Sequence, residues 1–539
     1  MGECSWPSEA EGFGVCNLNL LGVLDLYIAS VNQITQDSNR CKLKLQLWVY
    51  SSLAELELAK LENRLASMAN VREGHRLSLQ LVMEEEKEPA VGAQDQDQEG
   101  RTQNLVLVAI ALNDLREVVA GISGRSPEEV RVVVSPYRIC PLGAHVDHQG
   151  GAVSAMAIKL GLLLAFVPSG NPEVVLRSAQ FEGELRFRVD ETQRPKKSGK
   201  ENGTVDTNGS VKVEEECGWG RYAKGAVYAL QSKGNILKQG IIGLISGSMG
   251  LDSSGLSSSA AVGVAYLLAL ENANNMSVSP TENIEYDRLI ENEYLGLSNG
   301  ILDQSAILLS RQGCLTFMDC KTKEHRFISH QKLQVDHTNG VHKSYKILLA
   351  SSGLKQALTS NIGYNRRVAE CREAARVLLN ASGQPDVDPF LSNVEQEAYE
   401  AHKEKLEPVL ARRAKHYFSE NMRVMKGLQA WASGRLDEFG RLITASGRSS
   451  IENYECGCKP LIDLYEALLR APGVYGARFS GAGFRGCCLA FVDADHASEA
   501  ASFVKTEYSK LQPELASKIA PEAAVLICES GDGARVIGG

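Results

Sequence analysis

The sequence has no run of eighteen or more apolar residues, so it offers no candidate membrane-spanning helix. It has no Cys-x-x-Cys pair among its thirteen cysteines, which removes the usual frame of a zinc site. An odd number of scattered thiols fits a reducing compartment rather than a disulfide scaffold. Positive charge is not in excess: 57 Lys and Arg stand against 66 Asp and Glu, a net of −9. A global field for nucleic acid is thereby excluded, and any anionic ligand must be met by a local pocket. A basic leader is also missing, since Glu3, Glu9 and Glu11 fall in the first eleven residues. Trp6 stands where a myristoylation signal has Ser or Thr. There is no internal repeat. These absences lead to the expectation of a cytoplasmic protein without nucleic-acid or membrane partners.

What is present is an ordinary globular composition, 44% hydrophobic and 23% charged over 539 residues, long enough for several domains. Residues 1–104 differ from the rest. Leu53, Leu56, Leu58, Leu61, Leu65 and Met68 follow a helical rhythm and lead into a Glu- and Gln-rich linker with no packing residues. This segment carries no chemistry. It reads either as an appended regulatory piece or as an unusual start, the latter favoured, and it is expected to be dispensable. From residue 105 the pattern is mixed α/β. Strands are expected at 130–135, 241–246, 347–350, 487–492 and 524–528, with helices at 259–272 and 497–508. A polar loop is expected at 190–216.

Four clusters could carry chemistry. The first is a Gly/Ser stretch, Ser253-Ser254-Gly255-Leu256-Ser257-Ser258-Ser259, after a strand and at a helix entrance. Free backbone N–H groups and the helix dipole suit such a place to phosphate, although a flexible capped loop would look the same. It is not a Walker A loop, because the Gly-Lys-Ser/Thr ending is missing. The second runs from Pro136 through Arg138 and Ala144 to His145, Asp147 and His148, taken as a loop after a strand. The two imidazoles suggest a metal, while the carboxylate and arginine equally suit a hydroxyl-rich ligand. The third holds Glu291 and Asp303, the latter flanked by apolar Ile301 and Leu302, as a partly desolvated base would be. The fourth is a glycine-rich turn, Gly481-Ala482-Gly483-Phe484-Arg485-Gly486, feeding a strand.

In order and spacing these clusters resemble the signature blocks of the GHMP small-molecule kinases, in particular the galactokinase branch. Trp219 to Gly225 and the segment around Tyr364 resemble two further blocks, and the likeness spans residues 113 to 530. The resemblance implies an α+β, two-lobed GHMP kinase fold with its active site in the cleft between lobes 105–335 and 336–539. It implies ATP-dependent phosphorylation of a sugar's anomeric hydroxyl. Asp303 would be the base, and Arg138 would hold it ionised. Ser253, Ser254, Gly255, Leu256, Ser257 and Ser258 would cradle the phosphates, and Ser259 and Glu291 would hold Mg2+. Ala144, His145, Asp147 and Tyr364 would meet the sugar, while Gly481, Gly483 and Gly486 would shape the cleft from the second lobe.

Two departures are informative. Ala144 replaces the family's Glu, which in galactokinases accepts from the sugar's C6 hydroxyl. Losing that acid suits a substrate whose C6 is itself a carboxylate, since two anions in contact repel. The expected partners are therefore ATP and a galacturonate-like sugar. Galactose, a pentose such as arabinose, or a non-catalytic sensor role are the alternatives. Arg485 replaces a family glycine, either beside a ligand or facing solvent. Oligomeric state is not legible.

Overall fold

The computed structural model describes residues 112–195, 219–248, 256–330, 344–354 and 362–538. The leucine-rich stretch at 53–68, its acidic linker and most of the polar loop at 190–216 lie outside them.

The first sheet is built on two long strands, β1 (Arg131–Leu142) and β2 (Ala152–Pro168), paired antiparallel. Their sequences read as almost continuous apolar runs because both faces are covered. Alternation still sorts the side chains. Val133, Leu162, Leu164 and Phe166 enter the main core. Val132, Val134, Leu163 and Ala165 enter a smaller one under the helix at 112–123, which contributes Leu115 and Val119. β3 (Glu173–Ser178), β4 (Glu184–Arg188) and β5 (Ile241–Gly247) extend the sheet beyond β2, with β3 and β5 parallel. The far end of β2 pairs with β6 (Cys314–Asp319), which pairs with β7 (His325–Ser329).

The helices of this half pack closely through small residues. α1 (Gly220–Ser232) and α2 (Ser258–Ala273) lie together, and α2 covers β1 and β2. α2 is apolar around its whole circumference, as a helix buried on all sides must be. α3 (Pro280–Arg288) opens with a capping box, Ser279 accepting from the Glu282 N–H, and runs on as a π-helical turn, Leu289–Tyr294. α4 (Leu302–Leu309) follows.

The second sheet is antiparallel, in the order β11 (Val525–Cys528), β8 (Tyr345–Ser351), β10 (Cys487–Asp493), β9 (Val474–Phe479). Long helices surround it: α5 (Ile362–Ala381), α6 (Pro408–Ala432), α7 (Leu436–Glu452), α8 (Lys459–Arg470) and α9 (Ala497–Leu511). α7 packs on β9, and α9 on β8 and β11. The chain then returns to the first sheet, where β12 (Ser530–Gly531) pairs with β2 and β13 (Arg535–Ile537) with β1. All the strands and helices expected from residue 130 onward are present.

One expectation needs correction. The segment after residue 135 is not a loop, because β1 continues to Leu142. Pro136 lacks an N–H, which argues against a central strand. The register shifts between Pro136 and Arg138 and again between Ile139 and Leu142, so irregular pairing accommodates both prolines. Arg138 is consequently held on a strand.

Candidate active site

Arg138 is 3% exposed and its guanidinium meets Asp303 Oδ1 through Nε at 2.8 Å and through a terminal nitrogen at 2.7 Å. Asp303 lies in the first turn of α4, its side chain 23% exposed, so the carboxylate is bound on one side and open to the cleft on the other. The Arg138 N–H also donates to the Leu256 carbonyl at 3.3 Å, tying β1 to the entrance of α2.

Asp303 and Arg138 form the seam between two cavities. The inner one is lined by Ala144, His145, Asp147 and Tyr364, all four of the residues expected to meet a sugar. Asp147 is held where it is by Gly300: a Cβ there would fall 2.3 Å from Asp147 Oδ2. The Leu302 N–H donates to that oxygen at 3.4 Å. Burial, with Asp303 adding to it, raises the Asp147 carboxyl to about 6. Tyr364 is buried, edge-on to His148 with ring centroids 6.4 Å apart.

The histidines do not form a metal site. His145 stacks on Tyr454 at 4.4 Å, its Nε2 3.5 Å from Cys456 Sγ, while His148 Nε2 meets the Tyr454 hydroxyl at 3.1 Å. Burial, reinforced by His416, pushes His145 well below its ordinary value, so it is neutral. Among the described residues no group of three or more His, Cys, Asp or Glu is arranged to hold a metal ion.

Sequence reasoning missed what holds this wall in place. His416 and Glu420 reach it from α6, one turn apart. His416 Nε2 meets the Ala144 carbonyl at 3.0 Å, and Glu420 Oε1 accepts from the Gly143 N–H at 2.8 Å. The turn they grip is a demanding one, with φ +94° at Gly143 and +64° at His145, a region that a side chain rarely adopts. Glu420 is wholly buried. Burial would raise its pKa, yet Arg423, His416 and Arg478 together hold it down to about 2. No motif marks these residues, and about 270 positions separate them from the turn.

The outer cavity lies at the entrance of α2. Ser257, Ser258 and Ser259 line it with Trp219, Tyr222 and Arg485, and Arg138, Asp303 and Gly481 are shared with the inner one. Ser257 has φ +59°, and its buried Oγ has no hydrogen-bond partner. Leu256 is buried beneath. Ser253, Ser254 and Gly255 lie outside the described residues. Glu291 sits in the π-helical turn, a distortion frequent at functional sites. Its Oε2 accepts from Asn299 at 2.9 Å and it is hydrogen-bonded to Ser259, while its buried Oε1 has no partner. Burial, then the Asp303 charge, raises its pKa to about 7. A buried carboxylate oxygen left open beside a serine hydroxyl fits a divalent cation. The glycine-rich turn closes the cleft with φ +65° at Gly481, +75° at Gly483 and +90° at Gly486. A Cβ on Gly483 would meet Cys456 Sγ at 2.8 Å.

Two known families match the chain, the GHMP kinases N terminal domain over residues 221–311 and the GHMP kinases C terminal over residues 424–510. A galacturonokinase of Arabidopsis thaliana is 67% identical over 426 residues, which cover 79% of this chain and 98% of the relative. The chain is a GHMP kinase of the galactokinase branch. A galactokinase of Lactobacillus helveticus is 31% identical over 380 residues, 69% of this kinase and 88% of the relative. The crystal structure of Lactococcus lactis galactokinase complexed with galactose superposes with a TM-score of 0.66 at 29% identity, covering 79% of this kinase and 99% of that chain. The two-sheet α+β architecture is thus the GHMP kinase fold. No helix among the kinase's described residues is long and apolar enough to cross a membrane.

Proposed function

We propose that this kinase transfers the terminal phosphoryl group of ATP to the anomeric hydroxyl of D-galacturonate, giving galacturonate 1-phosphate and ADP. The observation that carries the reading is Ala144, which lines the inner cavity at the place where galactokinases have an acid. Arg138 is the one Lys or Arg among the described lining residues, and it is already committed to Asp303. The reading therefore rests on the acid that the cavity has lost. The 67% identity to a galacturonokinase supports the same choice.

In this reading Asp303 accepts the proton of the C1 hydroxyl as its oxygen attacks the phosphorus. Arg138 holds the Asp303 carboxylate through two N–H contacts and offsets charge on the phosphoryl group in transfer. Asp147 accepts from sugar hydroxyls, and His145 and Tyr364 shape the wall around the ring. The N-terminal turn of α2 receives the phosphates. Glu291 and Ser259 would hold the Mg2+ that accompanies ATP, whose charge neutralises phosphate oxygens. Substrates meet between lobes 105–335 and 336–539. We place the reaction in the cytoplasm, which suits the nine free thiols among the described residues. An ADP-release assay across galacturonate, glucuronate, galactose and arabinose tests the reading. Galacturonate should be turned over best, and comparable turnover of galactose would sink the Ala144 argument.

A further inference from the structure

Arg485 stands where the family's closing turn has a glycine, and it does not face away from the site. It lines the outer cavity together with Ser257, Ser258 and Ser259 at the entrance of α2. Its neighbours in the turn fix that direction. The ring of Phe484 is covered by the Arg367 guanidinium at 4.8 Å, and the Phe484 carbonyl is approached by Cys458 Sγ at 3.7 Å. The Gly486 carbonyl accepts both the N–H and the hydroxyl of Ser352, at 2.9 Å and 2.6 Å. With both flanking residues anchored in the second lobe, Arg485 between them is held against the cleft. Its guanidinium is half-buried, and desolvation lowers its pKa from the usual arginine value. An arginine does not lose its proton at such a cost, so the site contains a permanent positive charge with reduced hydration.

The geometry points to Arg485 as a nucleotide-phosphate contact contributed by the second lobe, and we propose that it binds the polyphosphate of ATP opposite the α2 entrance. A planar guanidinium presents paired donors that match phosphate oxygens, and the α2 entrance supplies N–H groups from the facing side. The turn that carries Arg485 begins at Gly481, which lines both cavities, so the contact would stand next to the path of the transferred group. A turn that otherwise offers only Gly481 and Ala482 to this cavity would then grip the nucleotide directly.

The inference rests on the outer cavity being the ATP site and not on the identity of the sugar. Calorimetric titration of Mg·ATP, Mg·ADP and AMP into the full-length protein tests it, with Arg485→Gly, the family residue, and Arg485→Lys. Arg485→Gly should weaken Mg·ATP by about tenfold or more, the worth of a charge-assisted hydrogen bond, and AMP by less than twofold. Arg485→Lys should recover part of the loss, since charge is kept and paired geometry is not. KM for the sugar should stay within twofold. Equal losses for ATP and AMP would mean that Arg485 shapes the pocket or supports the base, and unchanged ATP affinity would remove it from the phosphates; either overturns the proposal. If Arg485→Gly melts early, Arg485→Lys decides: equal loss for ATP and AMP again overturns it. Absence of galacturonate turnover would sink the substrate reading and leave these titrations as informative as before.

Discussion

The two cavities that meet at Asp303 are finished to different degrees by the protein itself. On the inner side the chain grips its own wall: the Ala144 carbonyl meets His416, the Gly143 N–H donates to Glu420, and Tyr454 occupies both His145 and His148, while Asn299 Oδ1 is buried without a partner. At the α2 entrance two buried oxygens have no partner, Ser257 Oγ on the outer cavity and Glu291 Oε1 beside Ser259. A buried polar atom without a partner costs about 1–3 kcal/mol, so the α2 entrance, with two such oxygens against one, carries the larger cost until something binds. In the proposed reading the inner wall is thus a largely preformed mould, whereas the α2 entrance is completed by the ligands proposed for it.

Variants can break this contrast or sharpen it. The largest effect belongs to the seam. Asp303→Asn keeps the shape but cannot take a proton, so kcat should fall by about 10²–10⁴. Nucleotide affinity should survive, as calorimetry would show; near-normal turnover would mean that positioning alone suffices. Next is the mould itself. Glu420→Ala leaves the buried Arg478 and the partly buried Arg423 without their carboxylate, at a cost of about 3–5 kcal/mol, visible in denaturant unfolding without any ligand. Because Glu420 is held at about 2, its contribution is present above the ordinary carboxylate range and is lost as the pH falls toward that value.

Ala144→Glu would place a second carboxylate against the substrate's own. We expect kcat/KM for galacturonate to drop by about tenfold or more, with galactose gained or unaffected and arabinose little changed. A parallel fall for galacturonate and galactose would show only a damaged turn, and no change for galacturonate would remove Ala144 from C6. The smallest structural effect belongs to the outer side. Glu291→Gln removes an acid that burial already pushes up to about 7, so unfolding stability should hold or rise while the Mg2+ concentration for half-maximal rate increases. If Glu291→Gln destabilised the protein as much as Glu420→Ala, the contrast between the two sides would be lost.

The sequence made the groups proposed to touch ligands readable, and the groups that hold them in place unreadable. Asp303, Arg138, Asp147 and Ser257 stand in short blocks whose order betrays the fold, because each block packs several roles into a few residues of one strand end or helix entrance. The strands were visible because their apolar runs are bounded by turn residues. What escaped were α5 to α8 as elements, and with them His416, Glu420 and Tyr454. Their roles depend on contacts across hundreds of residues, and a buried Glu or His on a helix carries no local sign of what it will grip. The prolines misled for the opposite reason. Pro136 locally favours a loop, yet the register shifts of β1 absorb it.

The return of the chain to its first sheet bears on how the protein is made. Val132 pairs with Ile537, and Val134 with Arg535, so one side of β1 finds its partner only when those late residues arrive. A ribosome adding about 5–20 residues per second takes roughly 20–80 s over the intervening stretch of roughly 400. For that time a valine-rich strand edge is open, a template for pairing with another nascent chain. Closing so long a loop is also slow in its own right. Yield of this kinase should therefore respond to chaperone supply and translation temperature more than its native contacts would suggest. A truncation before Ser530 should fail through misassembly in the cell, although every residue assigned to the two cavities would still be present.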